Sequence, residues 1–188
     1  MGRWLSDRIH QVSTAWVALA TLVIFVLFTA LVLPGQAEMA EPGGGDVGSP
    51  DLSFFYTAED LYRMAEEYGE GGRQTYVRVR FTFDLIWPLV YTVFLATGIS
   101  WFFQRAFAAQ TLWQQANIVP VLAALFDLLE NISTSVVMIR YPNQTAVLDV
   151  GAPIFTMVKW VLVGSSFLLL LIGMVAGVVR QLRSRGAL

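Results

Sequence analysis

From Ala15 to Leu33 the chain reads AWVALATLVIFVLFTALVL, nineteen residues without a single charge. The hydrocarbon core of a bilayer is about 30 Å thick and an α-helix rises about 1.5 Å per residue, so a span needs roughly 20 mostly apolar residues. Lipid offers the backbone no hydrogen bonds, so such a run must fold as helix. Three more segments meet the same length test, at about 81–103, 112–139 and 153–179. A hydrophobic fraction of 56% against 14% charged residues lies outside the range of soluble domains. The expected fold is an all-α integral membrane protein: one membrane domain over 1–188, a four-transmembrane-helix bundle with a short extracytoplasmic amphipathic helix.

Arginines orient the spans, because Lys and Arg accumulate in short cytoplasmic segments near span ends. Arg3 and Arg8 precede the first span, Arg105 separates the second from the third, and Arg180, Arg183 and Arg185 follow the fourth. Both termini are therefore expected in the cytoplasm of a bacterial plasma membrane. The acid-rich segment 34–80 falls on the opposite side, where Arg73, Arg78, Arg80 and Arg140 count against this orientation. The apolar run after Arg3 and Arg8, with small residues in GQAEMA, also has the outline of a cleaved signal. Nineteen residues is long for a signal core, so a retained anchor is the simpler reading.

The extracytoplasmic segment divides in two. Residues 34–50, with GGGDVGSP, read as a flexible linker. Beyond it, Thr57 and Asp60 have capping-box spacing, Leu61, Met64, Ala65 and Tyr68 recur at helical spacing, and Gly69 closes the pattern. A surface helix over about 58–68 is expected, either simply packing an apolar face or covering an opening.

Polar groups interrupt the last three spans. Asp84, Pro88 and Tyr91 share one helix face, as do Asp127, Glu130, Asn131 and Thr134, with Thr156, Lys159 and Ser166 on the fourth. Counted inward, Asp84, Tyr91, Asp127, Glu130 and Lys159 lie in the outer half of the membrane, where adjacent spans can bring them to one cavity. A lone Asp or Lys at a span centre costs about 2.5–3.5 kcal/mol on insertion scales, so these groups should face protein or water. Lys159 can offset one carboxylate and Arg78 or Arg80 can reach Asp84, which still leaves an acid to be hydrogen-bonded, solvated or protonated. The competing explanation is that such groups are interhelical glue, at about 0.6 kcal/mol per hydrogen bond. Gly173 and Gly177 form a GxxxG pattern, weak evidence for dimerisation.

Other chemistries are bounded by what is missing. With a net charge of -2 and no basic stripe, nucleic acid is excluded as a partner. The chain has no cysteine, and its one histidine, His10, precedes the first span. That removes thiolate and most imidazole metal sites and His-based triads, so no metal and no cofactor is expected.

The pattern Asp84-x-x-x-Pro88-x-x-Tyr91, Phe126-Asp127-x-x-Glu130-Asn131 and a lysine entering the last span resembles a group of small bacterial four-span membrane proteins, from about Tyr56 to Val179. The resemblance implies a fold and no activity. The architecture is more distantly similar to the sterol-isomerase and sigma-2-receptor-like fold, which carries acids in a membrane cavity. No motif matches residue by residue, and the isomerase histidine has no counterpart in these spans.

The leading functional expectation is a binding or carrier protein whose ligand site comprises Asp84, Tyr91, Asp127, Glu130, Asn131 and Lys159. The surplus of acid favours a small amphipathic cation, a lipid headgroup or a proton, with membrane lipids as surroundings. A second reading is a non-catalytic subunit of a larger membrane complex, with a protein partner. A third is a membrane-embedded isomerase using Asp127 or Glu130 as acid or base, with Tyr91 or Lys159 assisting.

Overall fold

A computed structural model describes residues 2–37, 48–109 and 111–185. Among these the fold is all α, with no strand. Its helices are α1 (Gly2–Val12), α2 (Ala15–Leu31), α3 (Leu33–Ala37), α4 (Ala58–Glu67), α5 (Gly69–Arg80), α6 (Phe83–Ala106), α7 (Val119–Arg140) and α8 (Leu148–Arg185), with 3-10 turns at Pro50–Leu52 and Leu112–Ile118. Four helical stretches are long and apolar enough to cross a membrane: Ala15–Gly35, Gly69–Ala106, Leu112–Arg140 and Leu148–Arg183. No residue of α2 is fully buried, but one face packs: Thr21 Oγ1 lies 2.9 Å from Thr97 Oγ1 and the Phe25 ring stacks on that of Phe94 at 4.6 Å.

By internal contacts the chain forms two compact units, and the long helices contribute segments to both. The first comprises Met1–Val26, Val90–Ala123 and Val161–Leu188. Here the N-terminal helix α1 is docked by polar side chains. Ser6 Oγ donates to Asn117 Oδ1 at 2.8 Å, while Asn117 Nδ2 donates to the Ser6 carbonyl at 3.1 Å and to Ser100 Oγ at 2.8 Å. Gln114 Nε2 donates to the carbonyls of Phe103 and Phe107, closing the turn after α6. Small residues on α8 admit aromatic rings of α6. A Cβ on Gly173 would lie 2.7 Å from the Phe103 ring, and one on Gly177 would lie 3.7 Å from Phe102. The GxxxG pattern is thus occupied by packing within the chain.

The second unit comprises Leu27–Leu89 and Ala124–Trp160. Helix α4 is held at its start by the capping box: Thr57 Oγ1 accepts from the Asp60 backbone N–H, and Asp60 Oδ2 accepts from that of Thr57. Its apolar face, Leu61, Met64 and Ala65, is buried with Tyr56, Tyr68, Tyr76, Val137, Met138 and Ala152. Gly69, at φ 61°, turns the chain through left-handed backbone that a side chain would resist. Beyond it the chain does not continue as loop to residue 80 but forms α5. Sequence alone argues against helix in GEGGRQT, since each glycine costs about 1 kcal/mol relative to alanine. Tertiary burial of Tyr76 and Arg80 outweighs that cost, and Arg73 Nη1 donates to the Ala65 carbonyl at 2.8 Å. Most of the glycine linker, 38–47, lies outside the described residues. Its far end is packed: Ser49 and Pro50 are buried.

Candidate functional site: a buried ion cluster

Helix α7 places Asp127, Glu130, Asn131 and Thr134 at intervals of three and four residues, so they form one stripe. All four are buried, whereas Leu128 and Ile132 between them are exposed. On α8, Thr156 and Lys159 stand one turn apart and are both buried. Lys159 is 3% exposed and Glu130 1%. Three carboxylates meet the lysine: Lys159 Nζ lies 2.5 Å from Asp51 Oδ1, 2.6 Å from Glu130 Oε2 and 3.4 Å from Asp127 Oδ1. Asn131 Nδ2 donates to the other oxygen of Asp127 at 3.2 Å.

A second cation joins through Asp51. Arg80, 1% exposed, approaches Asp51 Oδ2 at 3.2 Å and Asp84 Oδ2, one turn along the chain, at 2.5 Å. Its guanidinium lies over the Tyr76 ring, 4.5 Å from the centroid, where the ring's negative face supports the charge. Arg80 Nη2 also donates to Ser49 Oγ at 3.1 Å. Arg78, the other candidate partner for Asp84, is exposed.

Asp51 therefore bridges two buried cations, although it sits on a one-turn 3-10 segment beside the linker. Burial acts to raise its pKa, but the neighbouring Lys159 and Arg80 charges outweigh burial and hold the carboxyl well below the usual range. Tyr56 closes the same segment. Its hydroxyl pairs with Thr156 Oγ1 at 3.0 Å, and burial together with the Glu130 charge pushes its pKa far up, keeping it a neutral phenol.

The charges do not balance. Asp51, Asp84, Asp127 and Glu130 are four carboxylates; Arg80 and Lys159 are two cations. Hydrogen bonding is unbalanced in the same direction: no donor among the described residues reaches Glu130 Oε1 or Asn131 Oδ1, both shielded from solvent. A buried acceptor without a donor costs about 1–3 kcal/mol, more for a charged group, so these two atoms mark where a proton or a donor from outside would be stabilised. Oxygens of Asp51, Asp127 and Glu130 lie within 4.8 Å of one another, a spacing suited to a metal ion. Lys159 Nζ, however, already makes short ion-pair contacts with all three and supplies the positive charge they share.

Of the residues singled out from sequence, Asp127, Glu130, Asn131 and Lys159 come together directly, and Asp84 joins through Arg80. Tyr91 is buried in the first unit. Sequence reasoning missed Asp51 and Tyr56 as site residues and left Arg80 as one of two alternatives. A groove of ≈ 250 Å³ lies beside the segment, walled by Phe55, Tyr56, Ala58, Pro153, Ile154 and Met157. Its surface is almost wholly carbon, and Tyr56 is shared between groove and cluster. Comparison of the chain with protein-family models, curated proteins and solved structures found no match.

Proposed function

We propose that this integral membrane protein binds positive charge at the cluster: the cationic head of a small amphipathic ligand, with protons holding the same acids when the ligand is absent. The observation that carries this reading is Glu130, whose Oε1 lacks a donor inside a group of four carboxylates and two cations. An anion would add to the surplus, whereas an ammonium brings both the charge and the N–H donors that the cluster lacks. The groove bounded by Tyr56 supports an amphipathic ligand by offering carbon surface to its apolar part. With both termini in the cytoplasm, as the arginine distribution favours, the cluster lies toward the extracytoplasmic face. This orientation supports reading the protein as a carrier or receptor for ligands arriving from outside or from the outer leaflet.

Native mass spectrometry of gently extracted protein tests this. A bound amine in the wild type, missing from a folded Glu130→Gln variant, supports the reading. Equal small-molecule content in both proteins contradicts it. One observation favours a second role as a structural subunit: Lys159 is already surrounded by three carboxylates and Arg80 by two. A stoichiometric protein partner with no amine would decide for that role.

A further inference from the structure

We infer that residues 48–56 form a strap whose Asp51 carboxylate is a releasable counter-ion, so that the charge held by the cluster sets whether the strap is closed. This deepens the proposed function and rests on it.

Of the four carboxylates, Asp84 is carried by α6 and Asp127 and Glu130 by α7, each fixed along a long helix. Asp51 alone sits on a single 3-10 turn, Pro50–Leu52. It is also the most open member, with 24% of its side chain exposed. Apart from the buried Pro50 and Tyr56, the strap is held by polar contacts that end on the cluster or its flank. Besides the ion pairs to Arg80 and Lys159, Trp160 Nε1 donates to the Asp51 carbonyl at 3.2 Å, Tyr68 Oη donates to the Gly48 carbonyl at 2.7 Å, and Tyr56 pairs with Thr156. Leu52, Phe54 and Phe55 are exposed and add little burial to hold it down.

The charged and titratable groups facing Asp51 are Tyr56 on the strap, Tyr76 and Arg80 on α5, Asp84 on α6, Asp127 and Glu130 on α7, and Lys159 on α8. With two positive charges added, as protons or as one proton and one ammonium, the six charged groups sum to zero and Asp51 is held by both cations. With none added the cluster carries two negative charges. Asp51 then competes with Asp127 and Glu130 for Lys159 and with Asp84 for Arg80. It is the acid that can leave, and its departure removes one of the two surplus charges. Loading therefore closes the strap, and unloading opens it.

The absence of cysteine makes the test direct. Ser49, a buried residue of the strap itself, is replaced in Ser49→Cys, and the exposed Glu59 in a reference variant, Glu59→Cys. Both are reconstituted in nanodiscs and alkylated with a charged maleimide between about pH 5 and pH 9, and dividing by the Glu59→Cys rate corrects for the titration of a solvent-exposed thiol, the form that reacts when the strap is open. Opening linked to loss of one proton changes the opening constant about tenfold per pH unit within the titrating window. A ratio rising at least about tenfold, with a shallower rise when Glu130→Gln is added, is the expected result. A ratio independent of pH overturns the strap. Octylammonium added at high pH separates the two proposals: a rising pH profile that the amine leaves unchanged counts against amine binding and leaves the strap standing. A flat profile with an amine bound through Glu130 counts against the strap alone.

Discussion

Glu130 and Lys159 form an ion pair of 2.6 Å in which the two side chains are 1% and 3% exposed. Removing one partner of a buried pair typically costs about 3–5 kcal/mol, because the other charge is left unpaired. Lys159→Met is expected to destabilise the fold by that order, with Lys159→Met/Glu130→Gln recovering part of the loss. Denaturant titration of the single and double variants measures the coupling. Additive effects would show that the two residues do not stabilise each other.

Arg80 divides its guanidinium between Asp51 and Asp84 while lying over Tyr76. A lysine ammonium cannot reproduce that fork and stack. Arg80→Lys is expected to lose about 1–3 kcal/mol of stability, read from the midpoint of thermal unfolding. An unchanged midpoint would mean that the guanidinium geometry contributes nothing.

Asp51 gives a pH dependence of known sign. Its folded pKa lies below its ordinary 3.8 because Lys159 and Arg80 overcome the effect of burial. While the strap is closed, the stabilising contribution of Asp51 is full above the unfolded value and is lost as pH falls below about 4 and through the folded value. Wild-type protein should lose stability on acidification in that window more steeply than Asp51→Asn does. Parallel acid titrations of the two would exclude Asp51 as the source.

Asn117 is fully buried and joins α1 to the turn before α7 and to Ser100. Asn117→Leu removes those bonds and leaves Ser6 and Ser100 with fewer partners, at a cost of about 1–3 kcal/mol. Because these bonds dock α1, the expected sign is selective: faster proteolysis near Val12 and little change in the second unit. Hydrogen exchange across α1 and α4 distinguishes local release from general destabilisation.

The long apolar runs made the all-α membrane fold legible, since their length and lack of charge admit little else. Asp127, Glu130, Asn131 and Lys159 were legible because a polar group in an apolar run has a cost that demands a partner. Asp51 gave no such signal. An acid beside a glycine-rich linker is ordinary, and only the tertiary path of residues 48–56 brings it to the two cations. Helix α5 was hidden for a related reason: glycines in GEGGRQT speak against helix locally, and the burial that overrides them is invisible in the sequence. The spacing of Gly173 and Gly177 was plain, but whether the groove met another chain or this chain's own Phe103 depended on packing.

The most direct measurement is a calorimetric titration of octylammonium, with octanol as the neutral control, into wild-type and Glu130→Gln protein in nanodiscs. The expected result is saturable binding of the amine to the wild type, exceeding that of the alcohol and lost in Glu130→Gln while its unfolding midpoint stays measurable. Equal uptake of amine and alcohol by both proteins would contradict a cation site at the cluster.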